Sequence, residues 1–466
     1  MNLSENNKIL GEGKISKLML KYSIPCVLSL LVSALYNIVD QIFIGNSELS
    51  TLGNAATGVV FPFFIITHAF AWCFGDGCAA YLSICQGKND LGRAHKAIGT
   101  GISITFITGV ILTAIFFPFK KELLTFFGAS ENSLGLAIEY FNIIVPLFPI
   151  YMLCNMMNSV IRADGSPSWA MNSMLIGAAV NIVLDPLFIF GFHWGMTGAA
   201  LATIIGQIAS FIITASYFIN TKTFKLTFKS FIPDFKAFSY ALQLGISSFI
   251  TQMTIVVTTL MCNIMLVKYG SQSQFGVDIP IAIIGIQSKV FTVVINIVVG
   301  IVLGCQPLIS YNMGAKKFDR VKKIYTSILL CTVIIGSLST LVFQLAPRAV
   351  LSMFGTPTNI PNPEDYWIFG EKVFRIYLML IVFTCIIKVS TIFFQAVGKP
   401  MEATIGSMIR DIVCFLPLII LLPIKFGILG ILYAAPIADL ISMIVTVFLT
   451  IKFLKTLHTN KIQQPQ

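Results

Sequence analysis

Residues 181–186 read Asn-Ile-Val-Leu-Asp-Pro inside an otherwise apolar run. Asp185 is the costly residue in it. A charge near the centre of a bilayer costs about 2.5–3.5 kcal/mol on the insertion scale, so it is seldom kept without a task. Asn181 lies one helical turn earlier and shares its face. Pro186 has no backbone N–H, which leaves the Ile182 carbonyl without its usual partner and predicts a bend. A second carboxylate, Asp40, closes the first apolar run, with Tyr36 and Asn37 one turn before it on the same face. The plainer reading of Asp40 is a cap at the membrane border. Thr203 follows Gly198-Ala-Ala-Leu-Ala in a later run. Two carboxylates, an amide oxygen and a hydroxyl are hard oxygen ligands, suited to Na+ or to a shared proton. Drawn together out of water the two acids would repel, which favours a proton or cation held between them.

Other polar residues sit where apolar ones are expected. Asp76, between Gly75 and Gly77, reads either as a second relay group or as the cap of a broken helix. Lys289, Lys388 and Arg410 lie in later apolar runs, with Asp411 and Asp439 nearby. Mutual pairing or snorkelling to the interface is their first reading, and contact with an anionic substrate the alternative. Gln287 and Gln306 suit a cavity wall or a bond between helices. Tyr36, Asn37, Gln287, Gln306, Lys388 and Arg410 are the tentative substrate-cavity set. His68, His95, His193 and His458 are scattered and form no HExxH pattern. The ten cysteines fall within or at the ends of apolar runs, form no CxxC pair, and read as small buried hydrophobes. An enzyme is therefore not expected, nor any cofactor beyond a coupling Na+ or H+.

The elements that must position these groups are membrane spans. Of 466 residues, 56% are hydrophobic and 11% charged, with a mean hydropathy of +0.86. Apolar runs of span length recur from end to end, too long for barrel strands. We place about twelve helical spans, at 18–44, 53–85, 95–118, 134–157, 168–192, 196–219, 238–267, 279–312, 323–346, 371–397, 403–424 and 427–452. The net charge of +11 comes from Lys and Arg in alternate short loops. This is the positive-inside pattern, and it places both termini in the cytoplasm without invoking nucleic acid. The N-terminal stretch carries Lys8, Lys14, Lys17 and Lys21 and has no cleavable signal.

The chain also repeats. Gly77-Cys78, Gly87 and Arg93 reappear at one constant offset as Gly304-Cys305, Gly314 and Arg320, and Phe127-Gly128 as Phe354-Gly355. Gly165 and Pro167 reappear as Gly398 and Pro400 at a slightly longer offset, explained by an insertion in the loop Thr356–Trp367. Gly195 and Gly198 match Gly427 and Gly430. The fold class is thus an all-α polytopic membrane protein, with twelve helices in two pseudo-symmetric six-helix bundles around a central cavity. The bundles are placed at 1–220 and 238–466, the second with a short tail, and 221–237 is a cytoplasmic linker.

Several motifs resemble those of one family. They are Pro25 with Tyr36-Asn-Ile-Val-Asp40, Gly75-Asp-Gly77 with Gln86-Gly87, and Arg162-Ala-Asp-Gly165-Ser-Pro167. Asn181-Ile-Val-Leu-Asp185-Pro186, and Gly304-Cys-Gln306-Pro307 with Tyr311-Asn312-Met-Gly314-Ala315, complete the set. In order and spacing they resemble the multidrug and toxic compound extrusion (MATE) family, in its DinF- and MepA-like bacterial branch, over nearly the whole chain. The resemblance implies a monomeric cell-membrane antiporter that exports amphipathic or cationic small-molecule drugs in exchange for a cation. It also implies a cation site at Asp40, Asn181, Asp185 and Thr203. Some relatives carry coupling acids on the seventh and tenth spans. Here the seventh has none and the tenth carries Lys388, which counts against coupling through the second half. A flippase for lipid-linked precursors, needing a cationic cavity, is the alternative that Lys289, Lys388 and Arg410 keep open.

Overall fold

The computed structural model describes residues 10–47, 49–354 and 363–462. Among these the regular structure is helical, and eleven helices are long and apolar enough to cross a membrane. A twelfth span is the pair Pro363–Tyr377 and Ile381–Ala396, bent by 45° at its break. In chain order the first six spans are Ile15–Gly45, Leu52–Lys88, Leu91–Phe116, Glu131–Ala163, Pro167–Gly191 and Gly195–Tyr217. The seventh to ninth are Phe238–Gly270, Asp278–Gly314 and Phe318–Leu345. The bent pair is the tenth, and Pro400–Phe426 and Ile428–Leu457 follow. Each expected span is found, and the structure extends most of them by a few residues. Part of the expected insertion Thr356–Trp367, up to residue 362, and its neighbour Gly355 lie outside the described residues.

The prolines behave differently from one another. The first span runs unbroken through Pro25. The fifth is α-helical to Pro186 and then widens into a π-type turn over Leu187–Gly191. A missing N–H is most easily absorbed where the turn is already loosened. The second span is likewise unbroken from Ser50 to Lys88, so Asp76 does not cap a break, as one of its two readings had it.

Backbone conformation repeats with the sequence. Gly165 and Gly398 have φ of 82° and 78°, and Gly195 and Gly427 have 53° and 56°. Asn89 and Lys316, related by the offset of the Gly77/Gly304 match, have 57° and 58°. A left-handed residue ends a helix cheaply where the chain must turn, and both copies turn at the same places.

The chain divides into two compact units. The first comprises Met1–Gln252, Leu303–Lys317 and Gln395–Pro400. It extends past the expected linker because glycines let helices cross at backbone distance. A side chain at Gly77 would run into the Ala241 carbonyl, and one at Gly304 into that of Tyr22. Gly87 and Gly314, counterparts in the repeat, face each other: a side chain on Gly87 would strike Tyr311 and Gly314, and one on Gly314 would strike Ile84 and Gly87. The linker is itself fastened to this unit. The Asp164 carboxylate accepts from the Lys222 and Thr223 backbone N–H groups, at 2.7 and 2.9 Å, and from the Tyr217 and Thr223 hydroxyls. Gln86 Nε2 donates to Thr223 Oγ1 at 2.7 Å.

The second unit comprises Met253–Val302, Phe318–Phe394 and Met401–Gln466. Its apolar core gathers Leu266, Ile283, Phe369, Val373, Ile419, Ile431 and Leu432. At the start of the eleventh span the helix Pro400–Met408 widens into a π-type turn, Ile409–Phe415.

Candidate functional site

In the first unit the fifth span carries Asp185, fully buried, and Asn181, 3% exposed, on one face. Asn181 Nδ2 donates to Asp185 Oδ1 at 3.2 Å. The Asp40 side chain, arriving from the first span, lies against Asp185. The two acids therefore meet, and Asp40 is no border cap. Two bare carboxylates in contact repel, and a proton or a cation between them would relieve that repulsion. Three further oxygens, Asp40 Oδ1, Asn181 Oδ1 and Asp185 Oδ2, are buried without a hydrogen-bond partner. Buried polar atoms are nearly always paired, and here three unpaired oxygens belong to residues in contact with one another. Oxygen-only donors of this kind fit Na+ or H+ rather than a softer metal.

A cavity of about 90 Å³ adjoins the cluster, lined by Tyr36, Tyr151, Asn155, Asn181, Thr203 and Gln207 among others. Thr203, 9% exposed, lies against Tyr140 on the fourth span. Tyr36 contacts both Asn37 and Gln207. Asn37 itself is exposed and donates to the Ser33 carbonyl at 2.7 Å; it does not line this cavity. His68 and Trp72 form another wall, with ring centroids 4.4 Å apart and His68 Nδ1 3.4 Å from the Tyr151 hydroxyl.

Arg162 lines the same cavity and belongs to a second polar cluster. Ser159 and Ser248 donate to the two oxygens of Asp76, at 2.9 and 3.0 Å, and the Arg162 guanidinium lies 3.5 Å away. Asp76 is 2% exposed. Gly75 and Gly77 bring the fourth and seventh spans against its helix from two sides, since side chains there would meet Met156 and Ala241.

The remaining expected residues lie elsewhere. Gln306 is buried and donates to Gln395 Oε1 at 3.3 Å, a bond between helices of the first unit. Gln287 is buried on the eighth span, in the second unit. Lys289 is exposed on the same helix. Lys388 and Arg410 are in ion pairs, Lys388 with Asp411 at 3.2 Å and Arg410 with Asp411 and Asp439 at 2.6 and 2.7 Å. The structure thus supports the mutual-pairing reading for these two. Tyr140, Tyr151, Asn155 and Gln207 had not been singled out. Gln207 carried a signal, an amide one turn beyond Thr203 on the same face. Tyr140 and Tyr151 could not be told from the many packing aromatics.

This architecture is that of a multi-pass helical membrane protein with a polar cluster and cavity inside the first unit. The chain belongs to the MatE family, whose model matches residues 25–187 and 247–421, one segment in each half of the repeat. It is 26% identical over 451 residues to the multidrug export protein MepA of Staphylococcus haemolyticus (strain JCSC1435), covering 97% of this chain and 96% of that protein. A solved Pyrococcus furiosus transporter of the MOP superfamily, described as having a binding pocket of reverse polarity that suggests a different function, superposes with a TM-score of 0.87. It is 21% identical and covers 97% of this chain and 98% of that one. A multidrug resistance MATE family transporter in an outward-facing conformation gives a TM-score of 0.86 at 21% identity, over 97% and 98% of the two chains.

Proposed function

We propose that this protein is a multidrug exporter of the cell membrane, driven by exchange with Na+ or H+. The single observation that carries the reading is the meeting of Asp40 and Asp185, with three unpartnered oxygens, beside a cavity. An ion bound there relieves the repulsion of the acids and favours one arrangement of the helices. A drug bound beside it favours another, so each flux biases the other. Tyr36, Tyr151 and Trp72 offer π-faces to an organic cation. Similarity to a multidrug export protein along almost the whole chain supports the substrate class. The flippase alternative needs a cationic cavity from Lys289, Lys388 and Arg410; the ion pairs of Lys388 and Arg410 with Asp411 and Asp439 weigh against that reading.

The test is transport in vesicles with imposed Na+ or H+ gradients, using an ethidium-like cation. Asp40→Asn and Asp185→Asn should insert normally and lose gradient-driven efflux, at least tenfold for each. The ion whose gradient drives wild-type transport is the coupling ion. Full activity in both variants would remove the site.

A further inference from the structure

The second unit holds four charged side chains in one chain of contacts. Lys388 Nζ donates to Asp411 Oδ2 at 3.2 Å, and Arg410 Nη1 to Asp411 Oδ1 at 2.6 Å. Arg410 Nε donates to Asp439 Oδ1 at 2.7 Å, where Thr384 Oγ1 also donates at 2.8 Å. Side-chain exposure is 17% for Lys388, 12% for Arg410, 8% for Asp411 and 2% for Asp439. The cluster carries two positive and two negative charges and is neutral as it stands.

Its place in the duplication gives it meaning. At the offset that relates Gly165 to Gly398, residues Thr384, Lys388, Arg410 and Asp411 correspond to Tyr151, Asn155, Gly177 and Ala178. At the offset that relates Gly195 to Gly427, Asp439 corresponds to Gln207. All five counterparts line the cavity of the first unit. So the two copies treat one location in opposite ways. The first keeps it uncharged and open, next to an acid pair that lacks a counter-charge. The second places two acids there and supplies the counter-charge from its own chain.

We propose that Lys388 is a tethered cation: its ammonium permanently fills a monovalent-cation site made by Asp411 and its neighbours, so that the second unit needs no ion from solution. An ammonium and Na+ carry the same charge and both take carboxylate and hydroxyl oxygens. Arg410 alone cannot neutralise Asp411 and Asp439 together. Without Lys388 the buried cluster would carry one uncompensated negative charge. A mobile Na+ or proton would then have to enter, because an unpaired buried charge is among the costliest features a fold can hold. The alternative is an ordinary structural ion pair, whose loss would cost the same whatever the surrounding ions. The inference stands whether or not Asp40 and Asp185 couple transport.

The experiment uses full-length protein in detergent with Asp40→Asn and Asp185→Asn in the background, so that the unpartnered acid pair of the first unit is removed. Thermal unfolding is measured in sodium chloride and in choline chloride at equal ionic strength, at neutral and at mildly acidic pH. The groups facing Lys388 and Asp411 that bear on the pH arm are Arg410, Asp439, Thr384, Cys385 and Tyr377, with Cys262 behind Tyr377. The background protein should melt at one temperature in both salts at each pH. Adding Lys388→Met should lower Tm in neutral choline, and sodium or acid should restore it. Adding Asp411→Asn to that variant should abolish the ion sensitivity. An equal loss of Tm under all conditions would overturn the proposal. If Lys388→Met cannot be purified in neutral choline, recovery in sodium or acid and normal yields of Lys388→Arg and Lys388→Met/Asp411→Asn support it. Failure of the double variant to recover counts against it.

Discussion

Asp76 shows how a buried acid is made tolerable by its neighbours. Two serine hydroxyls and a guanidinium answer its two oxygens. Removing the acid leaves Arg162 without its counter-charge, so Asp76→Ala should destabilise by about 3 kcal/mol, the usual scale for breaking a buried pair. Arg162→Met in the same chain should recover part of the loss, because replacing both partners spares the orphaned charge. Thermal unfolding of the single and double variants checks this. A relay role would appear separately, as lost gradient-driven efflux in Asp76→Asn at unchanged Tm. Thr203 offers a finer probe of the neighbouring site. Thr203→Ser keeps the hydroxyl that meets Tyr140 and should transport normally, whereas Thr203→Val should lose a few-fold in the apparent affinity for the driving ion, read from efflux against ion concentration.

At the scale of elements, the glycines divide by what surrounds them. Gly77 abuts the Ala241 carbonyl, while Gly58, on the same helix, has nothing within 4 Å of the place where a side chain would start. Gly58→Ala should therefore stabilise by about 0.5–1 kcal/mol through helix propensity alone. Gly77→Ala should destabilise by about 1–3 kcal/mol, as overpacking does. The pair of melting curves checks the contrast. Much of this level was legible in the residues. The acid pair announced itself because a carboxylate in an apolar run has few innocent explanations, and recurring glycines gave the duplication. The bend in the tenth span was hidden. Its break falls at Leu378-Met379-Leu380 after a π-type turn over Val373–Tyr377, with neither Pro nor Gly to mark it. The cavity wall was hidden as well. Lipid-facing and inward-facing positions of a membrane helix are both apolar, so periodicity alone does not tell Tyr140 or Tyr151 from a packing aromatic.

For the molecule as a whole, the charge pattern of the loops fixes an expected orientation that labelling can check. The described cysteines are buried except Cys331, which is partly so, and give a quiet background. Lys225→Cys and Arg348→Cys both place a thiol at an exposed position. A membrane-impermeant maleimide should label Arg348→Cys in intact cells and Lys225→Cys only after permeabilisation. The opposite result would invert the topology. The ion-pair cluster belongs to this scale too. The sequence showed its members, but only the contacts showed that Lys388 and Arg410 answer Asp411 and Asp439 rather than a ligand.

Gly87 and Gly314 hold equivalent positions in the two copies and touch each other. Were the two copies separate and identical, that residue would meet its own twin, and any bulkier replacement would strike twice in a single mutation. In the single chain either partner can change alone, and yet both are glycine. The halves expressed as separate polypeptides should accordingly find each other through this crossing and co-purify, while a Gly87→Val first half should not retain its mate.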